Sequence, residues 1–311
     1  MKKRSIALLL LLVLLTGCGA KTEEAPWQTA YRETGKYLQE QDTLSAGSVG
    51  GEWAVIGLSR AGLLSDETAQ SYEQTVEDYV KQAGSVRLHH AKSTENSRAI
   101  LGLTAAGYNA ANMAGVDLTA GLTDMAYLRA QGTNGPIWAL IALDCHGYDI
   151  PQCADGEEQT TREGLVAEIL SYQCSDGGWA LMGDESDVDM TAMALTSLAP
   201  YQEETDIKAA VDAALTYLSD AQQADGGFMS WGAANSESCA QVIVALTALG
   251  IDPAADSRFA KNGASPLDGL CAFACEGGGF RHSDEVWLPS RASTHWSPAT
   301  ASGRARHACS T

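Results

Sequence analysis

A unit of glutamine, three residues and a glycine-led turn recurs along this chain, and it points to a helical-repeat architecture. Three residues separate Gln131 from Gly135-Pro136-Ile137, Gln173 from Gly177-Gly178-Trp179, and Gln222 from Gly226-Gly227-Phe228. A large apolar residue lies four positions before each glutamine: Tyr127, Ile169 and Leu218. Gly277-Gly278-Gly279-Phe280 is a degenerate closing copy. Glycine supplies the left-handed backbone that stops a helix, so each copy is expected to end one helix and open another.

The helices on either side of these turns differ in kind. Ile207, Val211, Leu215 and Leu218 recur at helical spacing with Lys208, Asp212 and Asp220 between them, as in an amphipathic helix. The stretch from Met190 to Ala199 is small and apolar all round, as are Ala240–Leu249, Trp138–Leu143 and Ala99–Ala106. A helix without a polar face is buried on both sides. The alternation predicts five inner helices near 52–64, 97–107, 137–147, 188–199 and 238–249. Outer partners are expected near 28–40, 67–83, 117–131, 162–173 and 206–222. The period, about 40 to 50 residues, is that of helix-pair repeats. Small inner residues favour closure into a barrel over an open solenoid.

The N-terminus predicts export. Met1-Lys2-Lys3-Arg4 is basic, Ile6 to Leu15 is unbroken and apolar, and Leu15-Thr16-Gly17-Cys18 follows. The run is short for a membrane span and suits a signal peptide. The four-residue end resembles the bacterial lipobox, which implies cleavage before Cys18 and lipidation of its thiol. Each buried acyl CH₂ contributes about 0.8 kcal/mol, so more than one chain anchors firmly. The expected organisation is therefore a signal peptide at 1–17, a lipidated tether at 18–26 and the helical domain at 27–285. Localisation would be extracytoplasmic, on the membrane surface. A formal net charge of −19 argues against nucleic acid as a partner. The seven cysteines beyond Cys18 are odd in number and irregular in spacing, which is no disulfide framework. Buried free thiols and a Cys145–Cys153 bridge both stay open, and no zinc quartet is formed.

The glutamine–Gly-Gly–aromatic unit resembles the QW-type repeat of the squalene–hopene cyclases. Related repeats occur in protein prenyltransferase β subunits and in cobalamin carriers. The resemblance implies an all-α fold, an α/α toroid, over roughly 27–285. Asp187-Val188-Asp189-Met190-Thr191-Ala192 is similar to the Asp-x-Asp-Asp-Thr-Ala stretch of class II terpene cyclases, whose middle aspartate protonates an alkene. Asp187 and Asp189 match its first and middle positions, and Met190 replaces the last aspartate. A general acid depends on such carboxylate neighbours. Phe occurs only four times, so carbocation-stabilising aromatics are few. Glu237-Ser238-Cys239 stands where the prenyltransferases carry Asp-x-Cys, but no histidine heads a later inner helix, and His282 falls in a loop.

Glu52, Glu95, Asp187, Asp189 and Glu237 all fall at or near the start of an inner helix. Helix-dipole stabilisation accounts for carboxylates there at about 0.3–2 kcal/mol each. In a barrel of parallel inner helices they would also ring one mouth and receive a polar or cationic group. Trp53, Glu95, Trp138, Asp187, Asp189 and Glu237 are the ligand-pocket candidates, while Trp179, Phe228 and Trp231 are expected mainly to pack the hairpins. No catalytic residue, metal ligand or cofactor is assigned. The expected function is a non-catalytic binding module on the cell surface, taking a small molecule or protein segment. A terpenoid cyclase-like enzyme using Asp187 and Asp189 is the first alternative, and a structural surface interaction protein the second.

Residues 286–311 change in character. They hold no acidic residue and carry Arg291, Arg304, Arg306, Pro289 and Pro298. The expectation is an irregular tail where a sixth inner helix would fall; a reading-frame shift near residue 285 would explain it, and a genuine disordered tail is the alternative.

Overall fold

A computed structural model describes residues 24–283 except 42, 43 and 49. Cys18, the signal peptide, most of the tether and residues 286–311, with the expectations placed on them, lie outside the described residues.

The described chain is helical. Its eleven α-helices are α1 (Pro26–Gln39), α2 (Gly51–Arg60), α3 (Asp66–Ala83), α4 (Thr94–Ala105), α5 (Met125–Arg129), α6 (Asn134–Asp144), α7 (Arg162–Ser171), α8 (Val188–Leu198), α9 (Thr205–Ala221), α10 (Ser236–Ala248) and α11 (Pro266–Cys271). Two-residue strands, Met229–Ser230 and Ala233–Ala234, pair antiparallel as a small ribbon before α10.

Side-chain chemistry sets the boundaries. Pro26 opens α1 without losing an intrahelical bond, since the first N–H groups have no partner there. The Ser65, Thr161, Asp187 and Asn235 side chains each accept a backbone N–H in the first turn of the helix they precede. Gly84 ends α3 in the left-handed conformation.

α2, α4, α6, α8 and α10 correspond to the five apolar helices that the sequence predicts as inner, and they start within a few residues of the expected positions. α2 packs on α4, α4 on α6, α6 on α8, and α8 on α10. Their apolar side chains, among them Val55, Ile100, Leu140, Leu195 and Val242, form one continuous core. Of the outer helices, α7 buries Leu165 and Ile169 and α1 only Gly35. After α10 the chain continues through α11, which packs on both α10 and α1. There Gly279 N donates to Thr34 Oγ1 at 3.0 Å, so the last hairpin reaches the first helix. α2 and α10 are bridged from outside by α1 and α11.

The glycine turns owe their sequence to crowding. Gly226 sits at φ 87° with Ser265 O only 2.2 Å from where a Cβ would stand. Gln173 Nε2 donates to Gly177 O at 2.8 Å and to Ala210 O at 2.9 Å, tying its own turn to the next outer helix. Gln222 repeats this with Gly226 O at 3.1 Å and Phe259 O at 3.0 Å.

Two expectations need correction. The first copy forms no hairpin: Gly135-Pro136-Ile137 lies inside α6, and Gln131 reaches back to Ser93 Oγ and Thr94 N at the start of α4. The outer segment expected at 117–131 is not one helix. Asp117 caps a 3₁₀ turn, Leu118–Leu122, and Asp124 caps α5, so two caps in close succession break the segment.

Candidate functional site

The inner helices all begin at one end of the molecule. Gln131, just before α6, bonds to the start of α4. Thr133 N, at the head of α6, donates to Leu181 O on the loop leading to α8. Ser230 Oγ, on the ribbon leading to α10, donates to Asp187 at the head of α8. Trp53 on α2 meets Trp138 on α6, with ring centroids 5.2 Å apart. The six candidate residues therefore share one end, but they divide into three groups.

Trp53 and Trp138 form the first group. Their rings meet at a tilt of 55° between α2 and α6, and Trp53 keeps 40% of its surface exposed.

The second group surrounds Tyr72. Glu95 binds Arg98 at 2.6 Å and accepts from Tyr79 Oη at 3.4 Å. Glu52 beside them is 1% exposed, with one oxygen accepting Gly47 N at 2.7 Å and the other lacking a partner. The Tyr72 hydroxyl is also buried without a partner, and burial, with the Glu52 charge adding, pushes its pKa far up. Gly102 makes room for that hydroxyl, since a Cβ there would lie 2.2 Å from it.

The third group gathers Asp187, Asp189 and Glu237 with Ser230, Ser238 and His282. One oxygen of Asp187 accepts Met190 N at 3.0 Å as the α8 cap, and the other accepts Ser230 Oγ. Asp189 is half-buried, with Oδ1 buried and unpartnered. The Ser238 hydroxyl comes near Asp189 but is aligned on no acceptor. Burial pushes the Asp189 carboxyl above the ordinary aspartate range. Asp187 and Glu237 add to this, while Ser238 and Ser230 pull it down. Glu237 meets His282 Nδ1 at 2.9 Å on the surface. His282, which the sequence leaves in an unrelated loop, is thus carried to the head of α10. Cys239 is turned into the core, where burial pushes its thiol up to about 11. Among the described residues no cluster of three His, Cys, Asp or Glu side chains is arranged to hold a metal ion.

Trp179 and Phe228 are fully buried, and Trp179 Nε1 donates to Ile169 O at 2.7 Å, so both pack hairpins. Trp231 differs. It stands at the tip of the ribbon, 86% exposed, with φ at 53°. Cys145 and Cys153 are free thiols, and no bridge joins them.

Sequence reading did not single out Ser230, Ser238 or Tyr72. The two serines precede or open the α10 helix and carry no spacing signal. Gly102, inside an otherwise apolar inner helix, was the available sign that a bulky neighbour presses on α4.

An apolar cavity of about 680 Å³ lies elsewhere, between α1, α2, α10 and α11. Leu38, Leu58, Ile243, Leu270, Cys271 and Phe280 are among its walls. A more polar cleft of about 480 Å³ is lined by Asn109, Asp117, His146 and Asp149. Neither reaches Asp187, Asp189 or Glu237. No helix among the described residues is long and apolar enough to cross a membrane. No protein-family model matches the chain, and no curated protein matches it.

Proposed function

We propose that this chain is an extracytoplasmic, lipid-anchored binding module built as an α/α toroid, and that it acts without turnover. Its ligand site is the end where the inner helices begin, and the group it takes there is polar or cationic. The observation that carries this reading is the Asp187–Asp189–Glu237 group. Three carboxylates from two neighbouring inner helices stand together, one with a buried oxygen that no protein donor satisfies. A buried acceptor without a partner costs about 1–3 kcal/mol, which a donor on a ligand would recover. Trp231, next in the chain to the Ser230 that binds Asp187, adds an exposed indole on the same ribbon.

One observation favours the enzyme alternative. Burial holds the Asp189 carboxyl toward its protonated form, as an alkene-protonating acid requires. Against it, Met190 is buried where the cyclase motif has a carboxylate.

The test has two arms. Protein extracted gently from membranes is examined by native mass spectrometry for a retained ligand, alongside the Asp187→Asn/Asp189→Asn variant. A bound mass lost in the variant supports the binding module, and equal retention in both removes the ligand from this site. Incubation with polyprenyl substrates is expected to leave them unchanged. Cyclised product that disappears in Asp189→Asn would replace this reading with the enzyme.

A further inference from the structure

The loop and the ribbon that lead into α8 and α10 carry large apolar side chains outward, and the ribbon does so against its own backbone preference. Ser230 pairs with Ala233, so Trp231 and Gly232 alone form the turn of the ribbon. Both are left-handed, at φ 53° and 82°. Asparagine followed by glycine suits such a turn, whereas a bulky side chain is disfavoured at its first position. Tryptophan stands there all the same, with 86% of its surface exposed. Backbone strain of this kind persists where function uses it.

Met229 of the ribbon is also exposed, and Met182, on the loop before α8, is 77% exposed. A Cβ on Gly132, beside the head of α6, would lie 3.0 Å from Met182 Cγ, so Met182 stands over that head. The ribbon is tied to the head of α8 through Ser230 and Asp187. α6 packs on α8, and packed helices lie about 8–10 Å apart. The chain that runs between the two heads carries Asp184 and Glu185, both exposed, and then Asp187. Among the described residues no lysine or arginine forms an ion pair with any of the three.

We propose that this end docks a basic, amphipathic protein segment, whose apolar side chains cover Trp231 and Met182 and whose lysine or arginine between them meets Asp184, Glu185 and Asp187. The inference rests on the reading of this end as the binding end, and it names the partner. Charge selects the occupant. A chain of net charge −19 with unpaired carboxylates between its apolar tips repels the phosphates of anionic lipids and attracts cationic side chains. Span sets its size. Tips on adjacent helix heads are roughly 10 Å apart, the length of about three extended residues and beyond the reach of a simple amine. Methionine adapts to varied apolar partners, and tryptophan is a frequent anchor of interfaces.

Random dodecapeptides displayed on phage are selected on the full-length protein and on Trp231→Asn. That variant is expected to melt no lower than the unmodified chain, because asparagine suits the left-handed turn. Peptides recovered on the unmodified chain are expected to hold Leu, Phe or Trp about three to four residues apart with Lys or Arg between them, and few acidic residues. The most frequent one, synthesised, is expected to bind about tenfold more weakly to Trp231→Asn and to Asp184→Asn/Glu185→Asn, and to weaken similarly between about 0.05 M and about 0.5 M salt. Recovery of acidic or purely apolar sequences, equal binding to all three proteins, or no recovery above background would overturn the inference. In vesicles of brominated phosphatidylcholine, quenching of an emission component that Trp231→Asn lacks would assign the indole to the lipid surface and overturn it as well. The binding module itself still stands wherever native mass spectrometry finds a ligand that Asp187→Asn/Asp189→Asn loses, so the two readings fail separately.

Discussion

Gln222 gives the sharpest test of why the repeat carries a glutamine. Its side chain is 7% exposed, and Nε2 divides its two protons between Gly226 O and Phe259 O. Gln222→Ala leaves both carbonyls buried without those donors, at about 1–3 kcal/mol each. Part of this is offset, because Oε1 of Gln222 is itself buried without a partner and disappears in the variant. The net loss is about 2–4 kcal/mol, which lowers the thermal midpoint by roughly 5–15 °C in a domain of this size. Gln222→Glu keeps the shape but turns an oxygen toward the same carbonyls. To donate there, the new carboxyl must hold its proton in the folded state, so its folded pKa lies above its unfolded value. That variant should then approach the alanine variant at low pH. It should lose further stability as the pH rises above about 4.3, where the unfolded carboxyl ionises. Urea unfolding followed by far-ultraviolet circular dichroism at pH 4 and pH 7 measures both effects. A glutamate variant as stable as wild type at pH 7, or an alanine variant within 0.5 kcal/mol of it (about the scatter of neutral surface changes), would refute the reasoning.

Other perturbations have equally definite outcomes. The Asp189 carboxyl is pushed up in the folded state, so its ionisation opposes folding; the penalty is absent below the unfolded value near 3.9 and grows as pH rises through the folded one. Asp189→Asn should therefore be neutral or stabilising at pH 7 and lose that advantage at pH 3.5, as read from unfolding midpoints, whereas Asp187→Ala should cost about 1 kcal/mol through the lost α8 cap. Gly269→Ala would put a Cβ 2.5 Å from both Cα and N of Gly227, backbone that no rotamer change can move. A loss of about 3 kcal/mol or more, or no folded protein, is expected on thermal denaturation. Cys18→Ala should leave the precursor unprocessed or release the protein from the membrane fraction, and unchanged processing with membrane retention would contradict the lipid anchor.

The sequence by itself determined the helical class, the alternation of amphipathic and apolar helices, and where the inner helices begin. Those features are local. Burial on both sides writes itself into Met190–Ala199 as an unbroken small apolar run, and a cap or a glycine turn acts within a few residues. The same locality misled the reading at Gln131, whose spacing matches the other copies. What that side chain bonds depends on α4, far back in the chain. Tertiary structure alone decided which carboxylates meet. Six candidates of similar sequence setting became a tryptophan contact, an ion pair at Glu95, and a cluster in which burial shifts Asp189. It also carried His282 to Glu237 and left an apolar slot between the first and fifth inner helices. Contacts between helices one or several repeats apart are set by how whole faces pack, and desolvation is a property of the assembled neighbourhood, so neither has a spacing that a sequence could display.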